Sequence, residues 1–220
     1  SDRTLVSSDQ LEMDVNQEPG VFDPQNVEII ATKTDRPILI IVSGPPAAGK
    51  TTIASEIGRR LGLPVFTKDT LKESLHDSFK WSDLESSRKF GFASTMLLYR
   101  MLDVQLSSGQ SVIAEMNFYA EFDSPRILEM ASRFSCQLFQ VHCTAQPGIL
   151  VARYVARARS GDRHPAHVDS ERTDELITKL AEDVWAPLDL CAPLAEIDTS
   201  DIKTVSLDKV VGNLENMLPQ

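Results

Sequence analysis

No uninterrupted run of 18 or more apolar residues occurs in this 220-residue chain, which excludes a transmembrane helix. Cysteine is scarce. Cys136, Cys143 and Cys191 are odd in number and form no CxxC pair, so neither a disulfide framework nor a zinc site is expected, and the reducing cytoplasm is the economical setting. Positive charge is in deficit: 22 Lys plus Arg stand against 32 Asp plus Glu, a net charge of −10. That balance disfavours broad binding to nucleic acid or to an anionic membrane, while leaving room for a local basic patch. The opening SDRTLVSSDQ lacks the cationic-then-apolar pattern of a signal peptide. Internal repeats and low-complexity tracts are also missing. What remains, 42% hydrophobic and 25% charged residues, suits a water-soluble globular protein with one substantial core and short additions.

Residues 1–36 carry eight acidic and three basic side chains with no sustained apolar period, so they read as an acidic extension. Within it, 27–30 (VEII) is a candidate short strand or docking segment. Order begins at Pro37. ILIIVS (38–43) has the continuous β-branched character of a central strand covered on both faces. A helix is expected over 51–61, closed by Gly62, and then a strand over 63–66. Further helices are expected over 69–79, 85–106, 124–134 (with Pro125 in the first turn), 148–159, 169–184 (capped by Asp169 or Ser170) and 207–218. Strands are expected over 111–115, 137–143 and 194–198. This alternation predicts an α/β fold: a three-layer sandwich with a five-stranded, mostly parallel sheet, formed by 37–220.

The strongest motif follows the first strand. Gly44-Pro-Pro-Ala-Ala-Gly49-Lys50-Thr51 fits GxxxxGK[ST] between a buried strand and a helix, the context that gives such a match its meaning. Backbone N–H groups of Gly44, Ala47, Ala48, Gly49, Lys50, Thr51 and Thr52 form a candidate cradle for the phosphates of a nucleoside triphosphate. Lys50 would reach the β- and γ-phosphates, and the Thr51 hydroxyl would ligate Mg²⁺. The motif identifies a nucleotide and a metal ion; it leaves the reaction open.

Three other groups narrow it. Asp69 follows the second strand and is expected at the C-terminal edge of the sheet, where doubly wound folds bind ligands. A carboxylate there can orient a substrate hydroxyl and take its proton; alternatively it caps a helix. Lys72, one turn on, is a candidate substrate contact or a solvated lysine. Glu115, at the end of the third strand, is a candidate contact to a substrate hydroxyl or to a Mg²⁺-bound water, and Asn117 just beyond it either hydrogen-bonds substrate or shapes the turn. Phe118 and Tyr119 read as packing residues, with lining of the acceptor pocket as the alternative, and Trp81 and Trp185 read as packing rather than base-stacking residues. Arg153, Arg157, Arg159 and Arg163 fall within eleven residues of an acidic chain, around the Gly-containing break GDRHPAH (161–167). Guanidinium groups suit a transferring phosphoryl group, and a closing lid around 153–168 would exclude water. Arg153, Arg157 and Asp198 are further candidate nucleotide contacts; Asp198 ends the fifth strand and caps a turn as an alternative. His164 and His167 bring no evident metal-ligand set.

GPPAAGKTT, LGLPVFTKDTLKESL, VIAEMNF, RYVARARSGDRHPAH and EIDTS, in that order over roughly 37–218, resemble small P-loop kinases of the predicted-kinase group. That group is related to zeta toxins, chloramphenicol phosphotransferase and the polynucleotide kinase domain. The resemblance implies phosphoryl transfer from ATP, or GTP, with Mg²⁺ to a hydroxyl beneath an arginine-bearing lid. It places Asp69 as general base, Glu115 near substrate, and Arg153, Arg157 and either Arg159 or Arg163 as lid arginines; Lys50, Arg157 and Arg163 are the expected catalytic cations. Lys72 stands where the polynucleotide kinase branch carries an arginine, which weakens the case for that branch.

A small-molecule hydroxyl acceptor is therefore expected, with no membrane partner. The alternatives are a 5′-hydroxyl polynucleotide kinase, a nucleotide-sugar kinase of the zeta-toxin type, and a nucleotide-switch ATPase. Against the last, the sequence has no NKxD motif, and Asp69 would lack a purpose.

Overall fold

The computed structural model describes residues 35–161, 163–169 and 172–219. Of the acidic extension only Asp35 and Arg36 are therefore described, and the segment 27–30 lies outside. Five strands, β1 (Ile38–Ser43), β2 (Val65–Thr67), β3 (Val112–Glu115), β4 (Gln137–Thr144) and β5 (Leu194–Asp198), form one sheet in the order β2-β3-β1-β4-β5. Every pairing is parallel. β1 is the centre because it can be buried on both faces: Ile38, Leu39, Ile40, Ile41 and Val42 are each 0% exposed. Full burial of such side chains stabilises by about 1.5–3 kcal/mol apiece, so this run is a main anchor of the fold.

Among the described residues seven α-helices connect and cover the strands: α1 (Lys50–Leu61), α2 (Lys68–Phe79), α3 (Leu84–Ser107), α4 (Ala120–Phe134), α5 (Pro147–Arg159), α6 (Thr173–Ala181) and α7 (Asp208–Met217). Leu98, Tyr99 and Leu102 of α3, with Ile127 and Met130 of α4, pack on Leu39, Ile41, Val112 and Ala114 of the sheet. α1 packs against β1, β3 and α7. The loops after β1, β2 and β3 consequently meet at one edge of the sheet, beyond the carboxyl ends of its strands, which is where open α/β sheets form their binding crevice.

Several boundaries differ from the sequence expectation, each for a local reason. The second strand starts at Val65 rather than Leu63, because the Leu63 N–H bonds to Gly58 O at 3.0 Å and closes α1. α4 begins at Ala120, so Pro125 lies inside it. Asp123 secures that early start: its carboxylate accepts from the Tyr119 N–H at 2.7 Å and from the Tyr99 hydroxyl at 2.7 Å. α6 spans only Thr173–Ala181, and Asp169 does not cap it; Ser170, the other expected cap, lies outside the described residues. Asp183, at φ 49°, follows the shortened end.

Candidate active site

The phosphate loop is built by backbone constraints. Gly44 has φ +129°, and a Cβ there would lie 2.0 Å from the Cys143 carbonyl oxygen of β4, so only glycine fits. Ala47 (φ 65°) and Gly49 (φ 76°) continue the turn in the left-handed region, and Gly49 caps the N-terminus of α1. Alternating handedness of this kind gathers amide groups into an anion nest, with the helix N-terminal pole behind it. Lys50 is buried and its Nζ donates to Pro45 O at 2.8 Å. Burial pulls its pKa down, while Glu115 and Asp69 pull it back up. A desolvated ammonium beside an amide nest is a site that a polyphosphate anion would stabilise.

Glu115 ends β3, paired with Val42 and Thr67 on either side, and its carboxylate accepts from the Thr51 hydroxyl at 3.2 Å. Burial raises its pKa against the pull of Lys50. A hydroxyl and a carboxylate at the mouth of an anion nest are the hard oxygen donors that Mg²⁺ takes together with phosphate oxygens. The residues present therefore fit a Mg²⁺-nucleotide.

Asp69 sits in the first turn of α2, whose cap is not Asp69 but Thr67, with its side chain accepting from the Thr70 N–H at 3.1 Å. Its carboxylate remains 45% exposed toward a cavity of about 360 Å³ that Gly49, Lys50, Thr51 and Thr52 also line. Burial alone would raise its pKa, but His167, Arg163 and Lys68 together hold it below the ordinary carboxylate range.

The arginines divide into three kinds. Arg153 donates to Thr199 O at 2.7 Å and Ser200 O at 3.0 Å, fastening α5 to the loop after β5. Arg157 and Arg163 converge on one carboxylate: Arg157 Nη2 and Arg163 Nε reach Asp169 Oδ2 at 3.2 and 3.0 Å. Arg163 Nη2 also donates to Asp69 Oδ2 at 3.1 Å. Arg159 is exposed and not in the cavity wall. Asp169 is buried and also accepts from the Tyr154 hydroxyl at 3.3 Å, so it organises the arginine segment.

Lys72 and Asn117 line the cavity as well, although Lys72 Nζ is engaged by Ser87 Oγ at 2.7 Å. Burial, and next the neighbouring Lys68, lower the Lys72 pKa to about 8. Asp198 is exposed and accepts from the Ser200 N–H at 2.8 Å, which is the turn-capping alternative; it does not line the cavity. His167 Nε2 donates to the Glu73 carboxylate at 2.8 Å. His76, Asp77 and His164 bring ligand-capable atoms within 4.8 Å of one another outside the cavity. His164 Nδ1 accepts from the Ala166 N–H, leaving Nε2 as the donor toward Asp77, so no ion is needed to satisfy that pair. Lys68, Arg172 and Lys179 also line the cavity without having been singled out in the sequence, and Asp169, expected as a helix cap, lines it too. Tyr119 and Trp185 pack together with Tyr154 and Leu176, as expected, and reach the cavity wall as well. Lys68 alone had a local signal, its place beside Asp69 in TKDT.

A family profile described as an AAA domain matches residues 39–182. A proposed kinase from Chloroflexus aurantiacus J-10-fl is 32% identical, with a TM-score of 0.76 over 84% of this chain and 100% of that one. Kti12 of Chaetomium thermophilum, solved in complex with ADP-AlF3, has a TM-score of 0.53 at 16% identity over 84% of this chain and 100% of its own; that likeness is one of fold. A shikimate kinase from Rhodopseudomonas palustris is 45% identical over 51 residues, which are 23% of this chain and 24% of that enzyme. That match thus spans about a quarter of the curated relative's length. The architecture is that of P-loop NTPases. Among the described residues no helix is long and apolar enough to cross a membrane.

Proposed function

We propose, from the premise that this chain belongs to the AAA domain family, that it is a small-molecule phosphotransferase acting on a hydroxyl group. The observation that carries this is the ionised Asp69 carboxylate opening on the same cavity as the phosphate loop. A nucleotide switch needs no such group, whereas an acceptor hydroxyl needs it in that place.

ATP, or GTP, with Mg²⁺ would supply the transferable phosphoryl group and part of the charge neutralisation. The backbone amides of Gly44, Ala47, Ala48, Gly49 and Thr52 would hold the phosphates together with Lys50, whose Nζ rests on Pro45 O. Thr51 and Glu115 would hold the metal ion. Asp69 orients the acceptor hydroxyl and takes its proton as transfer proceeds. Arg157 and Arg163, kept in place by Asp169, offset developing charge and form the lid that excludes water. Arg153 fixes the wall on the β5 side.

The test is a screen with γ-labelled ATP against a metabolite extract, using the Asp69→Asn protein as the blank. Label transferred to a small hydroxyl compound by the unmodified chain and not by the variant is the expected result. Label appearing solely as inorganic phosphate would move the assignment to a nucleotide-hydrolysing switch, and label on oligonucleotides would move it to a polynucleotide kinase.

A further inference from the structure

The cavity wall is more cationic than a nucleotide requires. It contains eight Lys or Arg side chains and four carboxylates, in a chain whose net charge is −10. Lys50, Arg153, Arg157 and Arg163 are accounted for by the phosphate loop, the β5 loop and Asp169. The other four, Lys68, Lys72, Arg172 and Lys179, stand on α2 and at α6. Glu175 pairs with Arg172 at 3.1 Å and with Lys179 at 2.9 Å. The negative charge that Lys68 and Lys72 chiefly feel is Asp69, whose ion pair is with Arg163 at 3.1 Å. Lys68 has no hydrogen-bond or ion-pair partner among the described residues, although it lies in the cavity wall. It shares a face of α2 with Lys72, four residues on.

Two fully buried polar atoms of the wall lack a partner among the described residues, Arg157 Nε and Trp185 Nε1, and both are donors. Lys68 and Lys72 both have pKa values pulled down, by burial first; for Lys72 the Lys68 and Arg172 charges come next. Arg172 depresses both lysines and Lys68 depresses Lys72; such a cluster of cations lining a cavity beside unused donors is a binding site for an anion.

We propose that the acceptor is itself an anion, a small hydroxy compound whose carboxylate or phosphate is held by Lys68 with Lys72 and Arg172 beside it, while its hydroxyl faces Asp69. This rests on the phosphotransferase reading and adds the substrate class. Lys68 and Asp69 are consecutive at the start of α2, so one end of a small molecule can meet the ammonium while its hydroxyl meets the carboxylate. The charge separation also explains selectivity: a neutral polyol of the same size leaves these cations unpaired when the lid closes over it.

The experiment uses the full chain saturated with Mg²⁺ and AMP-PNP, so that the phosphate loop is filled before any acceptor is added. Calorimetric titrations at fixed ionic strength then compare C4–C7 aldonates and polyol phosphates with the corresponding neutral polyols. Binding by at least one acidic class and not by its neutral counterpart is expected, and the two acidic arms tell a carboxylate from a phosphate. Lys68→Met should weaken that binding tenfold or more, and Lys68→Arg should recover part of it. Neutral polyols binding as tightly as the acids, no acid binding at all, or a Lys68→Met protein with unaltered affinity would each overturn the proposal. Failure of the underlying kinase assignment would show separately, as label from γ-labelled ATP that appears solely as inorganic phosphate whatever acceptor is supplied.

Discussion

Arg163 donates to Asp69 at 3.1 Å and to Asp169 at 3.0 Å, so a single guanidinium joins the start of α2 to the segment before α6. The side chain assigned to proton abstraction is thereby held by the side chain assigned to the lid. Opening that segment would free Asp69 from its nearest cation, and closing it would restore both the charge and the orientation. Glu73, 3.8 Å from Arg163 and 2.8 Å from His167, adds a second tie between the same two elements.

Asp69→Asn should lower kcat for the phosphorylated acceptor by about 10²–10⁴-fold, the range that a positioned general base contributes. The amide keeps an oxygen for Arg163, so the lid contact survives and Mg²⁺-nucleotide affinity should change by less than about threefold. Steady-state kinetics beside a fluorescent-nucleotide titration separate the two. Turnover equal to the unmodified protein would remove Asp69 from the proton path.

Asp169→Ala leaves Arg157, Arg163 and Tyr154 without their shared acceptor. The two guanidiniums are partly solvated, at 35% and 19% side-chain exposure, which tempers the penalty of a broken buried pair. A loss of about 2 kcal/mol is expected, seen as a melting temperature lower by roughly 4–8 °C for a chain of this size. ATP hydrolysis without acceptor should rise relative to transfer, because a loosened lid admits water. A variant that keeps its ratio of transfer to hydrolysis would show that Asp169 is structural alone.

Legibility followed the range of the determining interaction. β1 and the phosphate loop are local: a continuous apolar run and a glycine-spaced turn specify themselves, and the parallel sheet follows from strand and helix alternation. Asp69 was readable because its place after β2 is a topological consequence. Asp169 was not. In sequence it precedes a helix and looks like a cap, and its real partners lie up to fifteen residues back on α5 and in the loop that follows it. α4 failed likewise, since Pro125 suggests a first turn until Tyr99, 24 residues away, anchors Asp123. Lys179 and Trp185 reach the cavity only through the packing of the α6 region, which leaves no spacing to read.

Gly44 and Gly49 should respond differently to alanine, although both have positive φ. At Gly44 the new Cβ meets backbone, the Cys143 carbonyl oxygen at 2.0 Å, so β1 and β4 must separate for it to fit. Gly44→Ala is expected to cost several kcal/mol, on the order of other severe core disruptions, and to abolish nucleotide binding. At Gly49 the nearest atom is Ile202 Cδ1 at 3.4 Å, and the cost is chiefly the left-handed backbone, about 1–2 kcal/mol. Denaturant titration of the two variants measures the contrast. Equal destabilisation would mean that the φ strain, and not the closeness of β4, makes glycine necessary at 44.

Lys72 should leave a signature in the pH dependence of stability. Its pKa in the fold is about 8, against about 10.4 for an unperturbed lysine. Between those values the unfolded chain binds more protons than the folded one, so this group makes stability rise with pH from about 8 to about 10. Below pH 8 the penalty for burying the charge is felt in full. Lys68, Arg172, Asp69 and Asp169 surround it, but only differences between two proteins matter here, and their own titrations largely cancel. Lys72→Met preserves the length and packing of the side chain, and Ser87 keeps its bond to Ala166 O at 2.9 Å. The variant should therefore be more stable than the parent at pH 7 by about 1–2 kcal/mol, less than full linkage because it also gives up the Lys72–Ser87 hydrogen bond. That advantage should shrink toward zero by pH 10, as read from urea titrations at each pH. A difference that stays constant from pH 7 to pH 10 would place the Lys72 pKa near its ordinary value, and with it would go the electrostatic strain inferred among Lys68, Lys72 and Arg172.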